Sequence, residues 1–245
     1  MSLNRIIAIT LRIIRQFLRD RRTLALIVLV PILLMTLVAL SFPEEAGQVV
    51  VSRTAPALLA VLALFFGFIL TGVSFLRERS QGTLERLMVS PVSRGDLSVG
   101  YMLGFLVFAT VQSIIILLFT IYALDVQYRG ALWQIFVMQF LITIGAVNLG
   151  IFISTYARNE FQVVQFIPLF ILPQIFLSGI LWPVEQMPGY LQWVSDFLPL
   201  TYAVRGLREI MLMGHYLVDI PLELGVLLAF AAAASAGATV TLRQR

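Results

Sequence analysis

Long uncharged stretches dominate this chain. Six segments of 19 or more residues contain no Asp, Glu, Arg or Lys. Because a helix of about 20 apolar residues crosses a bilayer, each segment is predicted to be a transmembrane span. The predicted spans are residues 24–42, 54–76, 97–124, 130–157, 161–184 and 224–242.

Residues 1–23 show a helical pattern of a different kind. Apolar side chains recur every three or four residues, and most of the arginines fall on the opposite face. This pattern predicts an amphipathic helix with its apolar face at the acyl boundary of the membrane. It is either a simple anchor or a surface helix that also contacts a cytosolic partner. The candidate residues on it are Arg12, Arg15, Phe17, Arg19 and Asp20.

The first span resembles a signal peptide in one respect, since arginines precede it. Its uncharged run of 19 residues is longer than the 7–15 apolar residues usual in a signal peptide. We therefore expect a retained span.

The segment 77–96 carries a compact pattern between the second and third spans. Gly82 is expected to end the preceding helix, and Thr83 is a good cap for a new one. Pro91 favours a stop at the residue before it. The product is a short helix with an apolar ridge, which either docks into another protein or rests on lipid. The ridge consists of Leu84, Leu87 and Met88.

Residues 185–223 interrupt the pattern of spans. Pro188, Pro199 and Pro221 divide the segment, which also carries seven charged residues. We expect short helices that lie at, or dip into, one membrane interface.

Composition narrows the chemistry. Sixty per cent of the residues are hydrophobic and 12% are charged, against about 25% charged in soluble proteins. There is no cysteine and no lysine, and His215 is the single histidine. A P-loop needs its lysine, so this chain cannot carry that ATPase site. A zinc site needs several ligands, so no metal is expected.

The distribution of arginines predicts the orientation. With the N-terminus inside, the inner segments carry 13 arginines and five acids, and the outer segments carry four arginines and eight acids. Arginine-rich loops stay in the cytoplasm. Both termini are therefore predicted to be cytoplasmic, and the basic balance gives no reason to expect nucleic-acid binding.

Several motifs together resemble one membrane family. The segment from Glu78 to Pro91, with its Gly82-Thr83-Leu84-Glu85 core, resembles the signature loop of type-2 ABC transporter permeases, the type V exporter family. Residues 19–23 with Pro31 resemble the family's connecting helix and first span. The segment from Ser178 to Tyr202 resembles its stretch between spans five and six, and the likeness covers nearly the whole chain.

The resemblance implies a fold and a set of partners. Residues 1–245 would form one all-α permease domain with six spans, a connecting helix, a coupling helix and re-entrant helices. Two chains would pair, as a homodimer or a related heterodimer, in a bacterial or archaeal cytoplasmic membrane. Each would bind a cytosolic ATPase subunit that holds ATP and Mg, with no cofactor on this chain. Docking would use Glu78, Gly82, Thr83, Leu84, Glu85, Leu87, Met88 and Pro91.

Amides in the spans and a turn after span five are further candidates. The amides suit a route for a hydrophobic or amphipathic substrate, namely a drug-like molecule, a lipid or a lipid-linked one. Hydrogen bonds between helices are the simpler explanation of each amide, since they need no substrate. The resemblance adds a gate at which an amphiphile is released. The candidate pathway residues are Gln112, Asn148, Gln165 and Gln174, and the candidate gate residues are Ser178, Gly179, Pro183, Pro199 and Tyr202.

Three other classes fit the spans less well. A passive channel or scaffold subunit would have no use for the inner loop. A secondary transporter usually carries intramembrane charges, and the span centres have none. An intramembrane serine enzyme would need Ser178 beside a base, but His215 lies 37 residues later in a charged segment.

Overall fold

The computed structural model describes residues 2–42, 44–83, 86, 89 and 92–244, with side chains at all of these except 44–47 and 242–244. Across this described part the regular structure is helical throughout. Helices α4 and α8 each continue into a short π-helix, at Phe119–Ala123 and Glu209–Met213, and single 3₁₀ turns lie at Val184–Gln186 and Leu217–Asp219. The α-helices are α1 (Leu3–Arg19), α2 (Arg21–Leu40), α3 (Glu44–Ser80), α4 (Arg94–Leu118), α5 (Leu132–Ser154), α6 (Glu160–Leu177), α7 (Gly189–Ser195), α8 (Pro199–Arg208) and α9 (Pro221–Gln244).

Six of these helices are long and apolar enough to cross a membrane. They are α2, α3, α4 with its π extension, α5, α6 and α9. The prediction of an all-α membrane protein with six spans is confirmed.

Two helices differ in length from their predicted spans. Helix α3 begins at Glu44, whereas the uncharged run begins at residue 54, because Arg53 interrupts the hydrophobic run without interrupting the helix. Helix α6 ends at Leu177, and Gly179 follows with a φ of +77°. Glycine adopts this left-handed conformation without strain, so the chain turns here rather than continuing to residue 184.

Helices α3 and α5 form the centre of the bundle. About two thirds of the most apolar window of each is buried (67%), against 11% in α2. The two helices approach closely at glycines, since a Cβ atom on Gly150 would lie 2.7 Å from the carbonyl oxygen of Phe68. Small residues permit such close packing between membrane helices.

The spans alternate in direction and so define two ends of the molecule. We call the inner end the one that holds α1, the end of α3, residues 81–93 and the start of α4. The outer end holds residues 41–48, 124–131 and 178–220. Which end faces the cytoplasm stays a prediction from the arginine distribution.

The outer segment 185–223 contains α7 and α8 with their flanking turns. Helix α8 packs against α3, α5 and α9, and Leu200, Ala203 and Leu207 are fully buried. The predicted short helices are therefore present, and α8 belongs to the core of the outer end. Their position relative to the membrane surface stays a prediction.

Candidate functional site

A buried carboxylate organises the inner end. Glu78 lies in the last turn of α3 and is 3% exposed. Its Oε2 accepts hydrogen bonds from Arg12 Nη2 at 2.7 Å and from the Tyr101 hydroxyl at 2.8 Å. Its Oε1 accepts a bond from Gln16 Nε2 at 2.7 Å. One side chain of α3 thus joins two residues of α1 and one of α4.

Arg12, the cation of this network, has two hydrogen-bond partners. Arg12 also donates from Nη1 to the Tyr101 hydroxyl at 3.1 Å. Burial lowers the pKa of Arg12, but its hydrogen bonds with Glu78 and Tyr101 outweigh that effect and raise the pKa above its ordinary value. The carboxylate of this pair is buried and the guanidinium is partly exposed. Removal of one partner leaves the other charge without its counter-ion.

Two glycines of α4 form a groove for α1. A Cβ atom on Gly100 would lie 2.7 Å from Cβ of Ile9, and one on Gly104 would lie 2.8 Å from Cβ of Ile13. Further along α1, the ring of Phe17 packs against Phe105 and Phe108, with centroids 5.9 and 4.7 Å away. The α1 backbone can reach α4 this closely only because glycine lacks a side chain.

The apolar face of α1 is therefore divided. Ile9, Ile13 and Phe17 are buried against protein, whereas Leu3 and Leu18 are exposed. The sequence predicted that the whole face rests at the acyl boundary. The structure corrects this for the buried stripe, because the glycines of α4 offer it a tighter surface.

The two ends of α1 are also attached. The backbone N–H of Ser2 donates to Oδ1 of the buried Asp96 at 2.9 Å, and Asp96 with Ser93 caps the start of α4. At the other end Asp20 caps α2 by accepting bonds from Thr23. These bonds hold the pKa of Asp20 below its ordinary value. Arg15 and Arg19 are exposed.

The end of α3 makes two further contacts with the bundle. Arg79 donates to the carbonyl oxygens of Ser154 and Thr155, which close α5. Arg77 forms a two-pronged ion pair with Glu160, the first residue of α6, at 2.8 and 3.1 Å. Four helices are thus joined to the end of α3.

The predicted docking residues lie in two places, since most are in the loop at residues 82–91 and Glu78 is inside the bundle. Gly82 adopts a φ of +66°, and its carbonyl accepts the N–H of Arg86, which begins a helical turn that includes Thr83. Val89 is 90% exposed. Leu84, Glu85, Leu87, Met88 and Pro91 lie outside the described residues. Glu78, in contrast, is enclosed within the chain and presents no surface to a partner.

The sequence pattern named Arg12 but missed the other two side chains that bind Glu78. Gln16 and Tyr101 were not candidates, because a glutamine among arginines and a tyrosine in an apolar span are ordinary residues there. The one available signal was Glu78 itself, an acid flanked by Arg77 and Arg79 at the end of a span.

A small cavity lies at the outer end. Three of the predicted gate residues, Ser178, Gly179 and Pro183, line this gate cavity of about 190 Å³ together with Arg208. Nη1 of Arg208 donates to the carbonyl oxygen of Gly179 at 2.9 Å, which ties α8 to the turn after α6.

The other two gate residues lie elsewhere in the outer segment. Pro199 is the first residue of α8. The Tyr202 hydroxyl donates to the carbonyl oxygen of Asp196 at 2.9 Å, and its side chain is buried. Both residues therefore contribute to the position of α8. Neither is among the described residues that line the gate cavity.

The four candidate pathway amides do not share one environment. Gln112 and Asn148 are buried in the bundle, each 3% exposed, whereas Gln165 is exposed on α6. Gln174 is buried near α8, and its Oε1 accepts the N–H of Leu200 at 3.4 Å. A continuous route within one chain is therefore not formed by these four side chains.

The serine and the histidine that an intramembrane hydrolase would need occupy different contacts. Ser178 donates its hydroxyl hydrogen to the carbonyl oxygen of Ile175 at 3.3 Å. Nδ1 of His215 lies 2.8 Å from Oε2 of Glu209. Neither contact matches a nucleophile activated by a base.

Comparisons with known proteins agree with this architecture. The chain is 31% identical over 205 residues to the linearmycin resistance permease protein LnrN of Bacillus subtilis, covering 83% of this chain and 53% of that protein. It is 28% identical over 179 residues to the probable multidrug ABC transporter permease YbhS of Escherichia coli, covering 73% and 47%.

A third relative is the ABC transporter G family member 20 of Dictyostelium discoideum, 32% identical over 165 residues, which are 66% of this chain and 23% of that protein. The chain thus spans about half or less of the length of these curated relatives. The model of the family described as ABC-2 type transporter matches residues 4–212. The chain therefore belongs to the ABC-2 type transporter family.

Proposed function

We propose that this chain is the membrane-spanning permease of an ATP-driven exporter, with ATP and Mg held by a separate ATPase subunit. Family membership supports the transporter role. The absence of lysine supports the division of labour, because a P-loop on this chain would lack the side chain that contacts the phosphates.

The observation that carries this proposal is the Glu78 network. A protein that pushes on residues 81–93 pushes on the end of α3. Because Glu78 joins that end to α1 and α4, the three helices move together. Arg77 and Arg79 extend the connection to α6 and α5. Such packed and bonded elements transmit displacement as a unit.

The docking surface in this proposal is the loop itself. Val89 is exposed there, and sequence spacing places Leu84, Leu87 and Met88 on one face of a short helix. An apolar ridge of this kind fits a groove on a partner protein. Gly82, Thr83, Glu85 and Pro91 would shape the ridge, and Glu78 would support it from within the bundle.

The proposed substrate is hydrophobic or amphipathic and leaves the cytoplasm. The names of two relatives, a linearmycin resistance permease and a probable multidrug permease, support a drug-like substrate. The lack of charges in the span centres argues against an ion. The proposed working unit contains two permease chains in a bacterial or archaeal cytoplasmic membrane, with both termini cytoplasmic.

The proposed route combines the two chains. Gln165 is exposed on α6, so a second copy is needed to enclose it, whereas Gln112, Asn148 and Gln174 lie within one chain. Release would occur at the gate cavity, where the bond from Arg208 to Gly179 holds the turn that must move.

The docking proposal is tested by co-purification with the P-loop ATPase that we expect a neighbouring gene to encode. Leu84→Asp and Leu87→Asp should each insert normally but lose the ATPase, because a charge replaces an apolar contact. Val218→Asp is the matched control, since Val218 is 82% exposed at the outer end. Retention of the ATPase by both loop variants would exclude docking through this ridge.

The direction of transport has its own test. In inverted membrane vesicles that contain both subunits, ATP should drive a fluorescent amphiphile into the vesicle lumen. ATP-dependent release from preloaded inverted vesicles would instead show import.

A further inference from the structure

A second, wider cavity lies at the outer end. This outer cavity has a volume of about 830 Å³ and lies between the start of α3, the segment that precedes α5 and the end of α8. Each of these three elements contributes one arginine, namely Arg53, Arg129 and Arg208. Ser52 and Gln127 add polar groups to the lining.

The charge in the outer cavity is one-sided. The described lining residues include three arginines and no acid. In the described part of the chain, none of the three has a carboxylate at ion-pair distance. The carboxylate that acts electrostatically on Arg208 is that of Glu185. Glu185 lines the gate cavity, and it is not among the described lining residues of the outer cavity. Three like charges therefore share the lining of one cavity, and the carboxylate that acts on Arg208 lies outside that lining.

Arg208 differs from the other two arginines of the outer cavity because its side chain is only partly exposed. Burial lowers the pKa of Arg208, so its charged form is poorly hydrated. Its side chain donates a hydrogen bond to a neutral group, the carbonyl oxygen of Gly179. A guanidinium carries five N–H donors in a planar fork, so further donors remain for an acceptor.

Other charges at this end are placed differently. Glu209 lies beside His215 at 2.8 Å, and Arg205 stacks over the ring of Tyr202 with a separation of 5.8 Å. Arg205 lines the gate cavity only. Three of the four arginines of the outer end thus line the outer cavity.

We propose that the outer cavity binds a phosphate or carboxylate group through Arg53, Arg129 and Arg208. Guanidinium groups bind such groups through paired, charge-assisted hydrogen bonds. Val49 and the methionines Met211 and Met213 form an apolar wall beside the arginines, which suits an anion attached to an apolar chain. The anion comes either from an anionic lipid headgroup or from a free anion in solution.

This site does not depend on ATPase docking, because it lies at the opposite end of the bundle. Its test therefore uses the full-length permease alone, in nanodiscs of phosphatidylcholine. One arm adds phosphatidylglycerol and counts retained lipids by native mass spectrometry. The other arm titrates inorganic phosphate against chloride at constant ionic strength and follows thermal unfolding.

The decisive variant is Arg53→Gln with Arg129→Gln. Both side chains are exposed, so the fold should be retained, and Arg208 stays in place to hold Gly179. The loss of two charge-assisted contacts should weaken binding by about tenfold or more. Arg205→Gln removes a charge at the same end outside the cavity and should bind as the unchanged protein does.

Each outcome decides the proposal. Selective retention of phosphatidylglycerol without a phosphate response identifies a lipid headgroup, and a phosphate response identifies a free anion; both support the site if the double variant loses them. Binding that survives in the double variant, or that is lost equally in Arg205→Gln, overturns it. Absence of binding in both arms also overturns it.

Discussion

The inner and outer ends of this bundle are built on opposite principles. At the inner end the buried charges are paired, with Glu78 held by Arg12, Gln16 and Tyr101, and α1 lies in a groove of glycines. At the outer end the described residues line two cavities, the gate cavity and the outer cavity, and Arg208 bonds to Gly179 at the gate cavity.

This difference matches two mechanical tasks. An end that receives force from a partner must move as one body, and buried ionic and steric contacts give it that rigidity. An end that opens for a substrate, as we propose for the outer end, must separate at modest cost, and the cavities beside the packed helix α8 leave room for such movement. The comparison predicts that substitutions at the inner end have the larger effects on stability.

The largest effect is expected from Glu78→Ala. It leaves the partly exposed Arg12 without its anion and removes an acceptor from Gln16 and Tyr101, so we expect a loss of about 2–4 kcal/mol. Glu160→Ala breaks an ion pair that is about half exposed and should cost about 1 kcal/mol or less. Thermal unfolding in detergent measures both. Equal losses in the two variants would contradict the central role of Glu78.

The next effect is expected from Gly104→Leu. The new side chain occupies the space of Ile13, so α1 should leave its groove, at a cost of about 1–3 kcal/mol. Proteolysis after Arg15 and Arg19 should become faster. Gly225→Leu is the control, because no atom lies within 4 Å of a Cβ at that position. An unchanged proteolysis rate in Gly104→Leu would show that α1 is held by other contacts.

A smaller effect is expected at the outer end from Gly179→Ala. The φ of +77° strains any residue with a side chain, at about 1–2 kcal/mol, and the turn that accepts the bond from Arg208 should shift. Gly189→Ala serves as the control, since a Cβ there meets nothing within 4 Å. If Gly179→Ala destabilises the chain as much as Glu78→Ala, the contrast between the two ends is wrong.

The smallest effect is expected from Asp20, which caps α2 in an exposed position. Its pKa is lowered in the folded chain, so its contribution is present above the ordinary pKa of aspartate and is lost as pH falls through the lowered value. Asp20→Ala should cost about 0.5–1 kcal/mol at neutral pH. Asp20→Asn keeps a cap that does not titrate, so unfolding curves from neutral to acid pH should lack this component. A pH profile identical to that of the unchanged protein would exclude the cap as its source.

Much of the fold was predictable because hydrophobic runs are a direct physical signal. Residues 24–42 and 130–157 identify spans by their length alone, because an uncharged helical run of this length matches the thickness of a bilayer. The start of α3 was not predictable in this way. Arg53 ends the apolar run, but the helix continues through it to Glu44, because a helix needs backbone hydrogen bonds and not apolar side chains.

The candidate site was predictable only in part. The loop around Gly82 has local turn and cap signals, and Ser178, Gly179 and Pro183 lie close in sequence and share a cavity. The pathway amides share no local signal, and the structure gives Gln112 and Gln165 opposite exposures. The docking residues at 84, 85, 87, 88 and 91 stay predictions.

The sequence by itself determined that this chain is a six-span membrane protein with an amphipathic N-terminal helix and no P-loop lysine of its own. Those conclusions follow from composition and periodicity, which act within a few residues. Only the tertiary structure decided that Glu78 faces inward, that α1 lies on Gly100 and Gly104, and that Arg53, Arg129 and Arg208 line one cavity. Most of these arrangements bring together residues more than 60 positions apart, as Arg12 and Glu78 are, and no local pattern specifies them.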